Sequence, residues 1–301
     1  MNASASVNSM SVDSTSGVEG PGVASAAVEG PGVTGTAVEG AGVAGAVALD
    51  PATGAPVGVS KVLVLTAHPD DVDFGAAGTL ARWAAGGIDI HLTVVTGGGA
   101  GGFSDEARGD DVVSRRREEQ REAAEVVGIA SVEFWDYPDG DLHVSDELLK
   151  DIVEIGRRVR PDLILTHHPE RDYTSFQKSH PDHLAVGQAV THAVYPSLEN
   201  PYAYPELLEA GLEPHKLPHL WYFGQPGHLT NMAVDITESL ETKIQALLKH
   251  ASQHPDVEKM QQFVRHQAAR IAQQRAASDD AKAAESFHAV CVNSAETIAG
   301  F

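Results

Sequence analysis

The sequence has little cysteine, few basic residues and no long apolar run, and each shortage excludes a class of protein. The single cysteine, Cys291, cannot form an intrachain disulfide or a cysteine-based metal site. Lys and Arg number 21 against 42 Asp and Glu, and the formal charge of -21 disfavours binding to phosphate backbones or anionic membranes. No apolar run approaches the roughly 18 residues of a membrane-spanning helix. We therefore expect no nucleic-acid partner and no membrane insertion.

The N-terminal stretch from Met1 to Gly17 lacks the basic and apolar regions of a signal peptide. A lone cysteine also fits a reducing compartment. We therefore expect a cytoplasmic protein.

The first part of the chain differs in composition from the rest. A ten-residue repeat rich in Gly, Val, Ala and Pro reads VEGPGVASAA, VEGPGVTGTA and VEGAGVAGAV, beginning at Val18, Val28 and Val38. These repeats contain no aromatic side chain and too little bulk to offset the entropy lost on ordering. We expect a disordered low-complexity arm over residues 1–57 and one domain over 58–301. The repeats do not reveal what the arm does.

From Lys61 onward, short apolar runs alternate with amphipathic segments. The predicted strands are KVLVLT (61–66), IDIHLTVVT (88–96), VEFWDY (132–137), DLILTHH (162–168) and the segment 219–223. The predicted helices are 75–85, 112–127, 146–159, 183–195 and 236–252. This alternation indicates an α/β fold with a mostly parallel sheet and helices on both faces. Such sheets bind ligands beyond the carboxyl ends of their strands.

The loop after the first predicted strand concentrates groups that can bind a metal ion. It reads Ala67-His-Pro-Asp-Asp-Val-Asp73, so one histidine and three carboxylates follow the strand directly. Zinc and similar ions accept both imidazole and carboxylate ligands. The alternative is that these aspartates cap the helix that follows.

A second cluster, His180-Pro-Asp-His183, follows the fourth predicted strand and repeats the His-Pro-Asp pattern. Both clusters should meet at one end of a parallel sheet. His68, Asp71 and His183 would then supply three ligands and leave a position open, which is the catalytic rather than the structural zinc arrangement. Asp70 and His180 would remain as the acid–base pair that hydrolysis requires.

The two motifs, AHPDD at 67–71 and HPDH at 180–183, resemble those of the LmbE/PIG-L family of zinc-dependent N-deacetylases. Further family-like features are Arg116-x-x-Glu119, Pro138-Asp-Gly140, Asp235-Ile-Thr237, His250-Ala-Ser-Gln253 and Ala284-Glu-Ser-Phe287. The resemblance extends from about Lys61 to Val290. It implies a Rossmann-like three-layer sandwich that hydrolyses linear amides.

The resemblance also implies individual roles. His68, Asp71 and His183 would bind zinc, and Asp70 would be the general base. His180 would act as an acid or stabilise the oxyanion, with Asp182 orienting it. Fe²⁺ suits the same two histidines and one aspartate nearly as well.

For several other residues the sequence leaves two alternative roles open. Arg116 lies within a basic run and either contacts substrate or pairs with Glu119 three residues on. Asp139 follows the third predicted strand and either binds a substrate hydroxyl or forms a turn. Some family members carry a tyrosine two residues before HPDH. Here Lys178 occupies that position, and Tyr173 is the alternative oxyanion donor.

The expected function is removal of an N-acyl group, foremost acetyl, from a small amino-sugar or sugar-conjugate substrate. An amidase of the same family that acts on a larger thiol or natural-product conjugate is the nearest alternative. A nucleotide-binding Rossmann enzyme would need a helix directly after Gly97–Gly102, where an acidic stretch follows instead. A sugar-binding module without activity would need neither Asp70 nor His180. The exact substrate, the native metal and the formation of a homo-oligomer stay open.

Overall fold

Strands and helices alternate along the described part of the chain. The computed structural model describes residues 48–101, 110–176, 179–275, 278 and 280–293. The strands are β1 (Lys61–Thr66), β2 (Asp89–Thr96), β3 (Ser131–Tyr137), β4 (Leu163–His167), β5 (His219–Phe223), β6 (Met232–Asp235) and β7 (Ala284–Cys291). The α-helices are α1 (Asp71–Ala85), α2 (Asp110–Val127), α3 (Asp146–Val159), α4 (Pro181–His192), α5 (Pro205–Glu209), α6 (Leu240–Lys249) and α7 (Val257–Arg275).

The strands form one seven-stranded sheet in the order β3-β2-β1-β4-β5-β7-β6. Neighbouring strands from β3 to β5 are parallel, and Val64 of β1 is in register with Leu92 of β2 and Leu165 of β4. Strand β7 is antiparallel to both β5 and β6. The expected α/β fold with a mostly parallel sheet is therefore confirmed.

Strand β1 shows why its sequence is apolar throughout. Val62 and Val64 face a core formed with helices α1 and α2, whereas Leu63 and Leu65 face a second core formed with α3 and α4. All four side chains are fully buried. A central parallel strand covered on both faces has no solvent side, so it needs apolar residues at every position.

The boundary of the folded unit differs from the expected one. Residues 1–47 of the expected arm lie outside the described residues, but residues 48–57 pack against the sheet domain. Ala55 is buried, and the Arg82 guanidinium donates to the carbonyls of Pro51 and Ala52 at 2.8 and 2.9 Å. The folded unit therefore already includes residues 48–57.

The last third of the chain departs most from the sequence expectation. Strands β6 and β7 and helix α7 were not predicted, and α6 is shorter than the predicted segment 236–252. Strand β6 has only four residues, too few for a clear pattern, and β7 is set by its pairing with β5 and β6. Among the described residues, no helix combines the length and the hydropathy needed to cross a membrane.

Truncation tests the boundary of the folded unit. Deleting residues 1–47 should leave the melting temperature unchanged, because this segment contains no aromatic side chain that could add to the core. Deleting residues 1–57 should lower the free energy of unfolding by about 2 kcal/mol, because it uncovers buried surface and removes two acceptors of Arg82. Differential scanning calorimetry should show a fall of roughly 4–8 °C for the longer deletion only. Equal melting temperatures would contradict this boundary.

Candidate active site

Three side chains converge where β1 ends and α4 begins. His68 Nδ1 lies 3.3 Å from His183 Nε2 and 3.4 Å from Asp71 Oδ2, and His183 Nε2 lies 3.0 Å from Asp71 Oδ1. Ligands that bind one ion at about 2.0–2.1 Å in tetrahedral geometry stand roughly 3.3 Å apart. The three donors therefore fit a small divalent cation, and they are the set expected from the sequence.

Two further histidines border these donors. His167, at the end of β4, places its Nε2 3.1 Å from Asp71 Oδ2, and its ring stacks on His183 at 4.0 Å. His180 lies 5.0 Å from His68 between ring centroids. Ligand atoms of His68, His180 and His183 fall within 4.8 Å of one another, as do those of Asp71, His167 and His183. His167 and His180 could therefore complete or border a coordination shell.

Carboxylates hold the other nitrogen of His68. Its Nε2 lies 3.0 Å from Asp139 Oδ1 and 3.1 Å from Asp182 Oδ2. Asp182 also accepts from the Gly140 backbone N–H at 2.8 Å, and Asp139 accepts from the Ala100 N–H at 2.7 Å. A proton on Nε2 leaves the Nδ1 lone pair directed at Asp71 and His183. This is the usual support for a metal-binding histidine.

These contacts add a partner to the roles expected for Asp139 and Asp182. The Asp139 carboxylate contacts His68, which neither of its expected roles, substrate-hydroxyl binding or turn formation, included. The Asp182 carboxylate also contacts His68, and it is the Asp182 backbone N–H that donates to His180 Nδ1 at 3.3 Å. The reason is positional, because the first turn of α4 faces the loop after β3, whose N–H groups bind the Asp182 carboxylate.

The charge distribution favours a cation at this position. Burial alone would lower the pKa of His68, but Asp71, Asp139 and Asp182 raise it to about 12. Burial would raise the pKa of Asp71, yet His183, His167 and His68 hold it well below its usual range. A metal ion needs an ionised aspartate and neutral imidazoles, and it would replace the proton on these groups.

Asp70 has an unusual backbone conformation immediately before α1. Its φ of 88° is in the left-handed region, and its carboxylate makes no capping hydrogen bond to the helix. Such a conformation costs on the order of 1 kcal/mol or more in a non-glycine residue, so the surroundings must impose it. Burial raises the pKa of Asp70 to about 6, against the opposing effect of Arg116. The capping alternative is thus not observed for Asp70.

Helix α2 holds this loop through two residues on one face. Arg116 donates to the Pro69 and Gly98 carbonyls at 2.7 and 2.9 Å, and its Nη2 lies 3.5 Å from Asp70 Oδ2. One turn later, Gln120 Oε1 accepts from the Asp70 N–H at 2.8 Å. A side chain at Gly98, whose φ is 66°, would overlap the Arg116 guanidinium.

Arg116 therefore supports the loops after β1 and β2, and it is only 5% exposed. The alternative ion pair with Glu119 is not among its described contacts. Glu119 instead accepts from the backbone N–H and the hydroxyl of Ser252.

Gln120 is a residue that the sequence did not single out. Its Nε2 donates to Asp73 Oδ2 at 2.9 Å, and the same oxygen lies 2.8 Å from His250 Nε2. All three side chains are buried. The available signal was its i,i+4 spacing from Arg116, which places both on one helix face.

His180 and Tyr173 occupy the more open side. His180 is the N-cap of α4 and is solvent-exposed, and partial desolvation together with His68 and His183 lowers its pKa. Tyr173 is 77% exposed and contacts the ring of Phe176 edge-on. These contacts do not support the alternative that Tyr173 donates a hydrogen bond to the oxyanion. Lys178 lies outside the described residues.

Comparison with known proteins identifies the family. A family model described as PIG-L, GlcNAc-PI de-N-acetylase, matches residues 63–194. Diacetylchitobiose deacetylase of Thermococcus kodakarensis is 33% identical over 202 residues, which cover 66% of this chain and 72% of the relative. The chain belongs to the PIG-L family.

Two further similar proteins have lower sequence identity to this chain. A 1D-myo-inositol 2-acetamido-2-deoxy-alpha-D-glucopyranoside deacetylase of Rhodococcus jostii is 26% identical, over 64% of this chain and 81% of its own length. The structure of N,N'-diacetylchitobiose deacetylase from Pyrococcus horikoshii has a TM-score of 0.71 and 28% identity. The matched region covers 78% of this chain and 85% of the Pyrococcus horikoshii chain. The structure named as a deacetylase therefore shares the fold of this chain.

Metal affinity should depend on the three donors His68, Asp71 and His183, and on the Asp182 carboxylate that contacts His68 Nε2. Asp71→Ala should abolish tight binding of a divalent metal ion. Asp182→Asn should weaken it about 10- to 100-fold, because the proton on His68 Nε2 loses one of its two negatively charged acceptors. Titration against a chromophoric chelator measures both effects.

The matched control is His288→Ala, a partly buried histidine that pairs with His168 and is outside the donor set. It should bind metal as the wild type does. Undiminished affinity in Asp71→Ala would contradict the assignment of the donors, and undiminished affinity in Asp182→Asn would contradict the role of the carboxylate.

Proposed function

We propose that this chain is a zinc-dependent hydrolase that removes an N-acyl group, foremost acetyl, from an amino-sugar or sugar-conjugate substrate. The observation that carries the proposal is Asp70, a partly buried carboxylate that does not cap its helix and that directly precedes Asp71, one of the three converging donors, in the chain. The relatives named as deacetylases of diacetylchitobiose and of an acetamido-glucopyranoside support the reaction and the substrate class.

The donor chemistry supports a catalytic rather than a structural ion. His68, Asp71 and His183 would hold it, and three protein ligands leave room for water or substrate. When bound, zinc lowers the pKa of water and polarises a carbonyl. The same donors accept Fe²⁺, so we propose zinc as the preferred and not the exclusive metal.

Asp70 is proposed as the general base. With a pKa of about 6, it is mostly ionised at neutral pH, yet basic enough to accept a proton from the attacking water. The water oxygen bonds to the amide carbon, and the tetrahedral adduct then loses its C–N bond. The products are a carboxylate and a free amine, which receives its proton from Asp70 or His180.

His180 is proposed to stabilise the oxyanion. It stands at the open side of the donors, where its imidazole can donate a hydrogen bond in the neutral or the charged form. One such donor is typically worth about 3–4 kcal/mol in the transition state. Pro181 follows it at the start of α4, and the hydrogen bond from the Asp182 N–H to its Nδ1 orients the ring.

Substitution of the base separates chemistry from metal binding. Asp70→Asn should retain metal and lower kcat about 10²- to 10⁴-fold, because an amide cannot accept the proton of water. The assay measures amine release from N,N'-diacetylchitobiose by the metal-loaded protein, with metal content determined on the same sample. Asp111→Asn, an exposed aspartate on α2, is the matched control and should retain full activity. Full activity of Asp70→Asn would contradict the proposed mechanism.

Gln120 should affect turnover through the position of Asp70. Gln120→Leu removes the acceptor of the Asp70 N–H and should lower kcat roughly tenfold with little change in KM. Gln188→Leu, the same substitution at an exposed site on α4, should have no effect. Steady-state kinetics with metal quantification provides the readout. A change in metal content with unchanged kcat per bound metal would assign Gln120 to stability alone.

A further inference from the structure

A cavity of about 380 Å³ adjoins the donors on one side. Asp71, His167 and His183 contribute to its wall, so anything that fills the cavity lies next to the proposed metal position. The volume is within the range of small-molecule sites, about 300–1,000 Å³. The cavity is therefore large enough for part of a substrate.

Most of the remaining lining is apolar. Phe74 of α1, Phe223 of β5 and three residues of α7, Phe263, Val264 and Ile271, form its sides. Phe263 is 58% exposed, although it is a large aromatic residue. Exposed apolar surface of this kind inside a concave site is typical of a place that a ligand covers.

The charges in the remaining lining compensate each other. Apart from the donor wall, the charged lining residues are Lys243 and Glu285, whose Nζ and Oε1 lie 2.5 Å apart. Lys243 also donates to the Phe74 carbonyl, and Glu285 accepts from the N–H groups of Gly78 and Thr79. This part of the cavity therefore offers an ionic ligand group no unpaired counter-charge and suits a neutral apolar group.

The polar groups of the site lie elsewhere. Asp139 and Asp182 approach Nε2 of His68, whereas Asp71 and His183 approach Nδ1 on the other side of the ring. Neither Asp139 nor Asp182 lines the cavity, and His180 does not line it either. A substrate with a polar sugar and an apolar acyl chain would match this division.

We propose that the cavity is an acyl subsite, which accepts neutral acyl chains longer than acetyl while the scissile carbonyl lies at the donors. The inference rests on the proposed function and specifies its substrate class. Hydrolysis adds water to the amide carbon, breaks the C–N bond, and leaves the carboxylate product with its chain in the cavity. A methyl group is about as large as one water molecule, roughly 30 Å³, so acetyl would leave most of the 380 Å³ unfilled.

A series of N-acyl glucosamines tests the subsite. The metal-loaded wild type is assayed for amine release from the N-acetyl, N-butanoyl and N-hexanoyl compounds. Each methylene that enters the cavity should raise kcat/KM about fourfold. A steady fall in kcat/KM with chain length would overturn the inference.

A matched pair of variants on α7 locates the effect. Gln267 lines the cavity, so Gln267→Trp should reduce the ratio of hexanoyl to acetyl kcat/KM at least tenfold. Gln262→Trp makes the same change at an exposed position that does not line the cavity, and it should keep the wild-type ratio. Melting temperatures of both variants control for folding. Equal ratios in the two variants would contradict the location of the acyl chain.

Binding of the carboxylate products separates this inference from the proposed function. Calorimetry on the metal-loaded protein should show that hexanoate binds more tightly than acetate, and that Gln267→Trp removes the difference. This result without amide cleavage would refute the proposed reaction and leave the apolar subsite standing. Cleavage of the N-acetyl compound with no preference for hexanoate would support the reaction and refute the subsite.

Discussion

The approach of three lone-pair donors to within 3.0–3.4 Å of one another is the constraint on which the rest of the site depends. His68, Asp71 and His183 repel one another unless positive charge lies between them, as a proton or as a metal ion. The surrounding carboxylates raise the pKa of His68 against the effect of burial, so the site favours that charge. Parallel strands ending at one edge of the sheet bring these donors together.

A second layer of contacts maintains the geometry and explains why so many polar groups are buried here. Asp139 and Asp182 fix the orientation of the His68 ring, and both are held by backbone N–H groups. Arg116 and Gln120, from one face of α2, bind the loop that carries Asp70 in its left-handed conformation. A buried polar group in this network that lost its partner would lower the free energy of unfolding by about 1–3 kcal/mol, and by more if it were charged. The contacts therefore depend on one another.

The sequence predicted the parts of the molecule that depend on local pattern. Strands β1 and β5 have the predicted bounds, and β2 to β4 differ from prediction by a residue at one or both ends. The central strands β1 and β4 are easiest to predict, because buried parallel strands are mostly apolar runs. Strand β7 mixes polar and apolar residues, and its place depends on long-range pairing that no local pattern reveals. Likewise, the motifs pointed to His68, Asp71 and His183. The partners of Asp182 and the importance of Gln120 depend on loops that meet only in the folded chain.

Anomalous diffraction at the zinc edge, from crystals of the metal-loaded protein, tests the central claim most directly. We predict one strong peak bonded to His68 Nδ1, His183 Nε2 and an Asp71 carboxylate oxygen at about 2.0–2.2 Å, with the remaining position taken by solvent. A peak elsewhere, or an ion enclosed by four protein ligands with no open position, would contradict a catalytic metal centre at these donors.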